Sequence, residues 1–223
     1  MISESDKLLL EKKGISLEEL QIQLENFKKG NPFLKLAAPA SIEKGIMVVT
    51  PDKEQYYLDS WDTYRSSGRK VVKFVPASGA ASRMFKDLFE FLDAPYDKPT
   101  SVFEKDFFDN LSKFAFYEEL NEACLKNNNK NIDALLDQED YKAIIRNLLK
   151  PEGLNYGNLP KGLLKFHKYE NFTRTPAEEH LKEGYLYARN NKGEVNIHFT
   201  VSPEHRPLFE QLITQKQPLM EKD

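Results

Sequence analysis

The stretch Val71-Val72-Lys73-Phe74-Val75-Pro76-Ala77-Ser78-Gly79-Ala80-Ala81-Ser82-Arg83-Met84 restricts the fold more than any other part of this chain. A short β-branched and aromatic run halts at Pro76. Five small residues, Ala77 to Ala81, follow it. Ser82 then precedes an amphipathic run, residues 83–93. This order predicts a strand, a tight loop, and a helix that Ser82 caps. Small side chains let backbone N–H groups approach an anion, and a helix N-terminus adds positive potential. A cation such as Arg83 is unfavourable in a first helical turn unless an anion accompanies it. Small residues between strand and helix also serve close packing alone, so an anion site and a packing turn both stand at this point.

A second strand is predicted over residues 195–201, which are β-rich and alternate in polarity. Ser202-Pro203 then opens a helix with Phe209, Leu212 and Ile213 on its apolar side. Residues 101–150 read as a helical insert. Ser101 and Glu104 form a capping box, Phe103, Phe107, Leu111 and Phe114 share a face, and a later helix carries Tyr141, Ile144, Ile145 and Leu148 until Pro151 and Gly153 stop it. Thr175-Pro176-Ala177-Glu178 is a strong helix start, with the helix running to about Arg189. Upstream, Ser16 to Glu19 opens a helix with a Leu17, Leu20, Leu24 and Phe27 stripe. Strand-like runs follow, residues 45–50 among them, and then a helix over 58–66. The expected class is α/β: an incomplete Rossmann-like core with a large helical insert, helix-rich overall, its two strands parallel and adjacent. The segments are 1–70, N-terminal and helical; 71–100, first strand, loop and helix; 101–158, the insert; and 159–223, a Pro-Lys loop, helix, second strand and helix.

Composition closes off several functions. The net charge of -3 gives no general reason to expect nucleic acid as partner. A single cysteine, Cys124, permits no internal disulfide and fits a reducing compartment. No apolar run reaches a membrane span, and the acidic N-terminus is unlike a signal peptide, so a cytoplasmic location is expected. His167, His180, His198 and His205 show no metal-ligand spacing, and no metal ligand is assigned. No Gly-Lys-Ser/Thr follows the loop, so it is not a P-loop, and with Gly79 alone it is not a dinucleotide fingerprint. Ser78 and Ser82 have no base that can be read from the sequence.

The run Pro76-Ala77-Ser78-Gly79-Ala80-Ala81-Ser82-Arg83-Met84 resembles the signature loop of the sugar nucleotidyltransferases, and Pro160-Lys161-Gly162-Leu163 is similar to their Pro-Lys signature. The strand at 195–201 with Ser202 and the Phe209 helix is similar to their next strand–helix unit. The whole chain looks closest to the N-terminal part of domain of unknown function family 4301, within the nucleotide-diphosphosugar transferase superfamily. The resemblance implies a nucleotide or sugar nucleotide as ligand and transfer of a nucleotidyl group to a sugar 1-phosphate. Ala77, Ser78, Gly79, Ala80, Ala81 and Ser82 would cradle phosphates, and Arg83 and Lys161 would neutralise their charge. It also implies Mg²⁺, although no carboxylate here matches the metal-binding position. Ala81 stands where the signature has a second glycine, and Arg83 lies 78 positions from Lys161, farther than the family's spacing. The alternatives are a non-catalytic or degenerate nucleotide- or phosphate-binding module, and a helical protein-interaction domain. Two defensible strands cannot complete a doubly wound sheet, so the chain is expected to be an N-terminal fragment of a longer protein. Alone it would be catalytically silent, and would depend on self-association or a missing C-terminal part.

Overall fold

A computed structural model describes residues 2–220. The chain forms two compact units, one ending at Gln55 and the next beginning at Tyr56. The first holds helix α1 (Glu4–Lys13), helix α2 (Leu17–Lys29) and the start of helix α3 (Pro51–Ser66). Ser3 and Asp6 close a capping box on α1, and Ser16 caps α2 by accepting from the Glu19 N–H at 3.0 Å. No residue of α1 or α2 is buried. The strand expected at 45–50 is absent: only isolated bridges join Ser41 to Lys44 and Gly45, and residues 46–50 gain no ladder partner.

The second unit is rich in helix. Strand β1 (Lys73–Pro76) leads to helices α4 (Lys86–Asp93), α5 (Val102–Asp109), α6 (Tyr117–Asn128), α7 (Ile132–Asp137) and α8 (Tyr141–Leu149). Strands β2 (His167–Lys168) and β3 (Thr173–Arg174), helix α9 (Pro176–Tyr187), strand β4 (Ile197–Thr200) and helix α10 (Arg206–Met220) complete it. The two expected capping boxes are both present, Ser101 with Glu104 and Thr175 with Glu178. Burial opposes ionisation of Glu104. The N–H groups of Thr100 and Ser101 outweigh it and hold the carboxyl below its usual range.

Strands β1 and β4 pair in parallel, with Lys73 opposite Ile197 and Pro76 opposite Thr200. The N–H groups of Lys73 and Ala77 donate toward β4, so by strand alternation position 76 faces the outer edge. A proline there costs no bond in this ladder. The predicted parallel pair is therefore present, as two strands among the described residues, alongside the small antiparallel pair β2–β3.

The main core lies among α4 to α8, around Phe91, Leu120, Ile144, Ile145 and Leu148. Cys124 is fully buried in it, and burial pushes its thiol up to about 11, which keeps it protonated and inert. After α8 the chain folds back over the helix end. The N–H groups of Leu154, Tyr156 and Gly157 donate to the carbonyls of Asn147, Leu148 and Leu149. These carbonyls have no partner within the helix, and the returning loop satisfies them. The return carries the chain to Pro160.

Candidate functional site

Three loops gather at the carboxyl ends of β1 and β4. Ala77 leaves β1 and donates its N–H to the Thr200 carbonyl at 2.8 Å. Lys161 donates its N–H to the Gly79 carbonyl at 2.9 Å, and Ala80 bridges Pro160. The small-residue loop and the Pro-Lys loop, far apart in sequence, are thus neighbours. A small apolar cluster underlies them: Val75, Ala77, Ala177 and Phe209 are buried, with Leu163 and Val201 against them. At Gly162 a Cβ would sit 3.0 Å from Phe209 Cζ, so glycine permits this close approach.

The six cradle candidates divide by exposure. Ala77 and Ala81 are buried packing residues, each in a different core cluster. Ser78, Gly79, Ala80 and Ser82 are exposed. Among the described residues, the N–H groups of Ser78, Gly79 and Ala80 donate to no protein acceptor. No residue from Ala77 to Ser82 has a positive φ, and a Cβ on Gly79 would meet open space. The Ala81 substitution therefore carries no backbone strain, because the loop stays in ordinary conformations.

The helix after the loop departs from expectation. It starts at Lys86, and Ser82 does not cap it. Residues 82–85 form a turn, Met84 donates to the Ala81 carbonyl at 2.8 Å, and Phe85 occupies the cap position without a side-chain bond. Burying Ala81 and Phe85 sets this turn and delays the helix. Arg83 consequently lies before the first helical turn. It is exposed and lines a groove of about 520 Å³ with Ser82, Lys86, Phe89, Glu90 and Asp93. Lys161 is also exposed and does not line that groove. Neither cation forms an ion pair among the described residues.

Two further polar groupings could not be read from sequence. Ser202 Oγ and His205 Nδ1 are 2.8 Å apart just beyond β4, closing the turn into α10. At the opposite, amino end of the strand pair, Lys73 binds Glu183 and Tyr187, and His180 Nδ1 lies 2.9 Å from Glu183 Oε2. The bond to Lys73 holds the Glu183 carboxyl down at about 2; desolvation opposes this, and the contacts from His180 and Tyr187 assist it. Desolvation acts to lower the Lys73 value, but its bonds to Glu183 and Tyr187 outweigh it and leave the ammonium raised. For Glu183 the folded value lies below the reference 4.5, so its contribution is fully present above that pH and is lost as pH falls toward about 2. For Lys73 the contribution is present below 10.5 and is lost as pH rises through the raised value. Denaturant midpoints of the wild type should therefore fall more between pH 4.5 and 2 than those of Glu183→Gln; parallel profiles would count against this assignment.

Arg174 is not a free surface charge. Its side chain is 16% exposed, pairs with Glu179 at 3.5 Å and lies over the Phe172 ring. Among the described residues no group of three or more His, Cys, Asp or Glu side chains could hold a metal ion. Mg²⁺ at a phosphate site needs only one or two carboxylates beside the phosphates and waters, so this finding bears on a closed protein cage alone. No helix among those residues is long and apolar enough to cross a membrane.

No curated protein and no solved structure matches this chain. A family model described as domain of unknown function (DUF4301) matches residues 3–223, and the chain belongs to that family.

Proposed function

We propose that this chain binds the phosphate groups of a nucleotide or sugar nucleotide at the carboxyl ends of β1 and β4, in the manner of a nucleotidyltransferase-like protein. The observation that carries the reading is the Lys161 N–H to Gly79 carbonyl bond, which seats the Pro-Lys loop against the small-residue loop. The N–H groups of the exposed residues Ser78, Gly79 and Ala80 supply neutral donors, and Arg83 and Lys161, which have no ion-pair partner among the described residues, follow in the same loop and in the loop bonded to it. Phosphoryl chemistry needs positioning and charge neutralisation more than covalent participation, and these groups are of that kind. Nucleotidyl transfer to a sugar 1-phosphate is the enzymatic form of the proposal. The binding-only form is favoured by a helix that starts at Lys86, which moves its N-terminus away from the loop.

Titrating the protein with pyrophosphate, nucleoside triphosphates and sugar nucleotides, with and without Mg²⁺, tests the proposal by thermal shift, because a ligand of the native state raises apparent stability. Arg83→Ala and Lys161→Ala should each weaken pyrophosphate binding about tenfold, as for one lost charge-assisted hydrogen bond, while the unliganded midpoint stays put. Unchanged affinity in both variants would remove the site.

A further inference from the structure

The helical region contains a second concave surface that begins where the loop ends. It encloses about 490 Å³ and is lined chiefly by Met84, Phe103, Phe107 and Phe114, with Asp106 and Asn110 as its polar members. Phe107 is buried, with its ring 5.3 Å from that of Phe114. Met84 and Phe103 are 45% and 42% exposed, leaving large apolar side chains open at the cleft. Ser82 and Met84 are two residues apart, so their Cα atoms lie within about 7 Å.

The polar members differ in their commitments. Asn110 is engaged: its side-chain N–H donates to the Asp106 carbonyl at 2.8 Å, and its Oδ1 accepts from Lys113 at 2.7 Å. The Asp106 carboxylate has no hydrogen bond or ion pair among the described residues. A carboxylate presents two adjacent acceptors and, when ionised, no donor. An aromatic wall beside it suits a flat ring that stacks and carries two adjacent N–H donors on one edge. Among the common nucleobases only guanine offers that pair, from its ring N–H and exocyclic amino group. Uracil flanks its single N–H with carbonyls that a carboxylate repels.

We infer that this cleft is a guanine subsite, with the base against Phe103 and Met84 and its paired donors on Asp106. The inference deepens the nucleotide reading and rests on it for a ligand that spans both places. Guanosine lacks phosphate, so calorimetric titration with guanosine, adenosine and uridine examines the cleft apart from the loop. Guanosine should bind saturably, with adenosine and uridine at least about tenfold weaker, the effect of losing one charge-assisted contact. Asp106→Asn should erase that preference, and Phe103→Ala should weaken guanosine severalfold. Asp106 is exposed, so the unliganded midpoint should not move in Asp106→Asn, whereas Phe103 is more than half covered and its loss should lower the midpoint modestly. No saturable guanosine binding, equal binding of all three nucleosides, or wild-type behaviour of both variants overturns the assignment. Pyrophosphate binding without guanosine binding overturns the cleft and leaves the loop reading intact. Guanosine binding without pyrophosphate binding supports the cleft and removes the loop reading.

Discussion

Replacing Gly153 by alanine should destabilise the protein by roughly 3–5 kcal/mol, at the upper end of single-substitution effects. An added Cβ would lie 1.9 Å from the Asn147 carbonyl oxygen and 2.6 Å from both the carbonyl carbon and the Cα of Asn147. All are backbone atoms near the end of α8, so no side chain can swing aside. The same carbonyl accepts the Leu154 N–H at 2.7 Å, the first bond of the loop that returns over the helix. Relieving the clash breaks that bond and disturbs those from Tyr156 and Gly157 that follow it. A buried carbonyl left without a partner costs about 1–3 kcal/mol in addition to the steric term. The loop also delivers Pro160 and Lys161 to the Gly79 carbonyl, so in molecules that remain folded the Pro-Lys loop should be displaced. Gly79→Ala is the contrasting case: its backbone is ordinary and the space around it open, so stability should stay within about 0.5 kcal/mol. Urea denaturation of both variants gives the comparison. A Gly153→Ala midpoint equal to wild type would refute the close-approach account.

How much of this was legible in the sequence depended on whether the deciding interaction was local. The Ser101–Glu104 and Thr175–Glu178 boxes close within one helical turn, and both helices start where those residues place them. β1 and β4 were recognisable because their β-branched and alternating residues are constrained by the sheet itself. Their parallel pairing followed from the helices between them. The start of α4 was not legible, because burial of Ala81 and Phe85 outweighs the capping preference of Ser82. α1 gave no signal because Leu8, Leu9 and Leu10 sit side by side and form no stripe, and no residue of that helix is buried. β2 and β3 are two residues each, too short for a period to show. At the site, both signature-like loops were visible, but their contact through Gly79 and Lys161 is tertiary. The partnership of Lys73 with Glu183 spans 110 positions, and no local pattern announces it.

Phe209→Ala tests whether the small apolar cluster under the three loops holds the candidate site together. Phe209 is 2% exposed and is the one large buried side chain of that cluster, whose other buried members are Val75, Ala77 and Ala177. Its ring lies 6.1 Å from that of Phe199 on β4 and packs against the backbone of Gly162. Removing a buried phenyl ring costs about 3–5 kcal/mol when the surroundings cannot collapse. Collapse here would have to move β4, the Gly162 turn or Ala77; Ala77 is bonded to β4 through the Thr200 carbonyl, and the Pro-Lys loop is bonded to Gly79 two residues farther on. The expected result is a loss near 3 kcal/mol, together with weaker pyrophosphate binding in the folded fraction, because the Lys161 loop loses the surface it rests on. Phe209→Leu keeps most of the apolar volume and should cost less than about 1.5 kcal/mol, with pyrophosphate affinity close to wild type. The two readouts separate the roles of the cluster. If Phe209→Ala lowers the midpoint but leaves pyrophosphate affinity untouched, the cluster stabilises the domain without positioning the loops. If neither quantity changes, the ring does not connect α10 to the β1–β4 pair, and the convergence of the three loops must rest on the Ala77–Thr200 and Lys161–Gly79 backbone bonds.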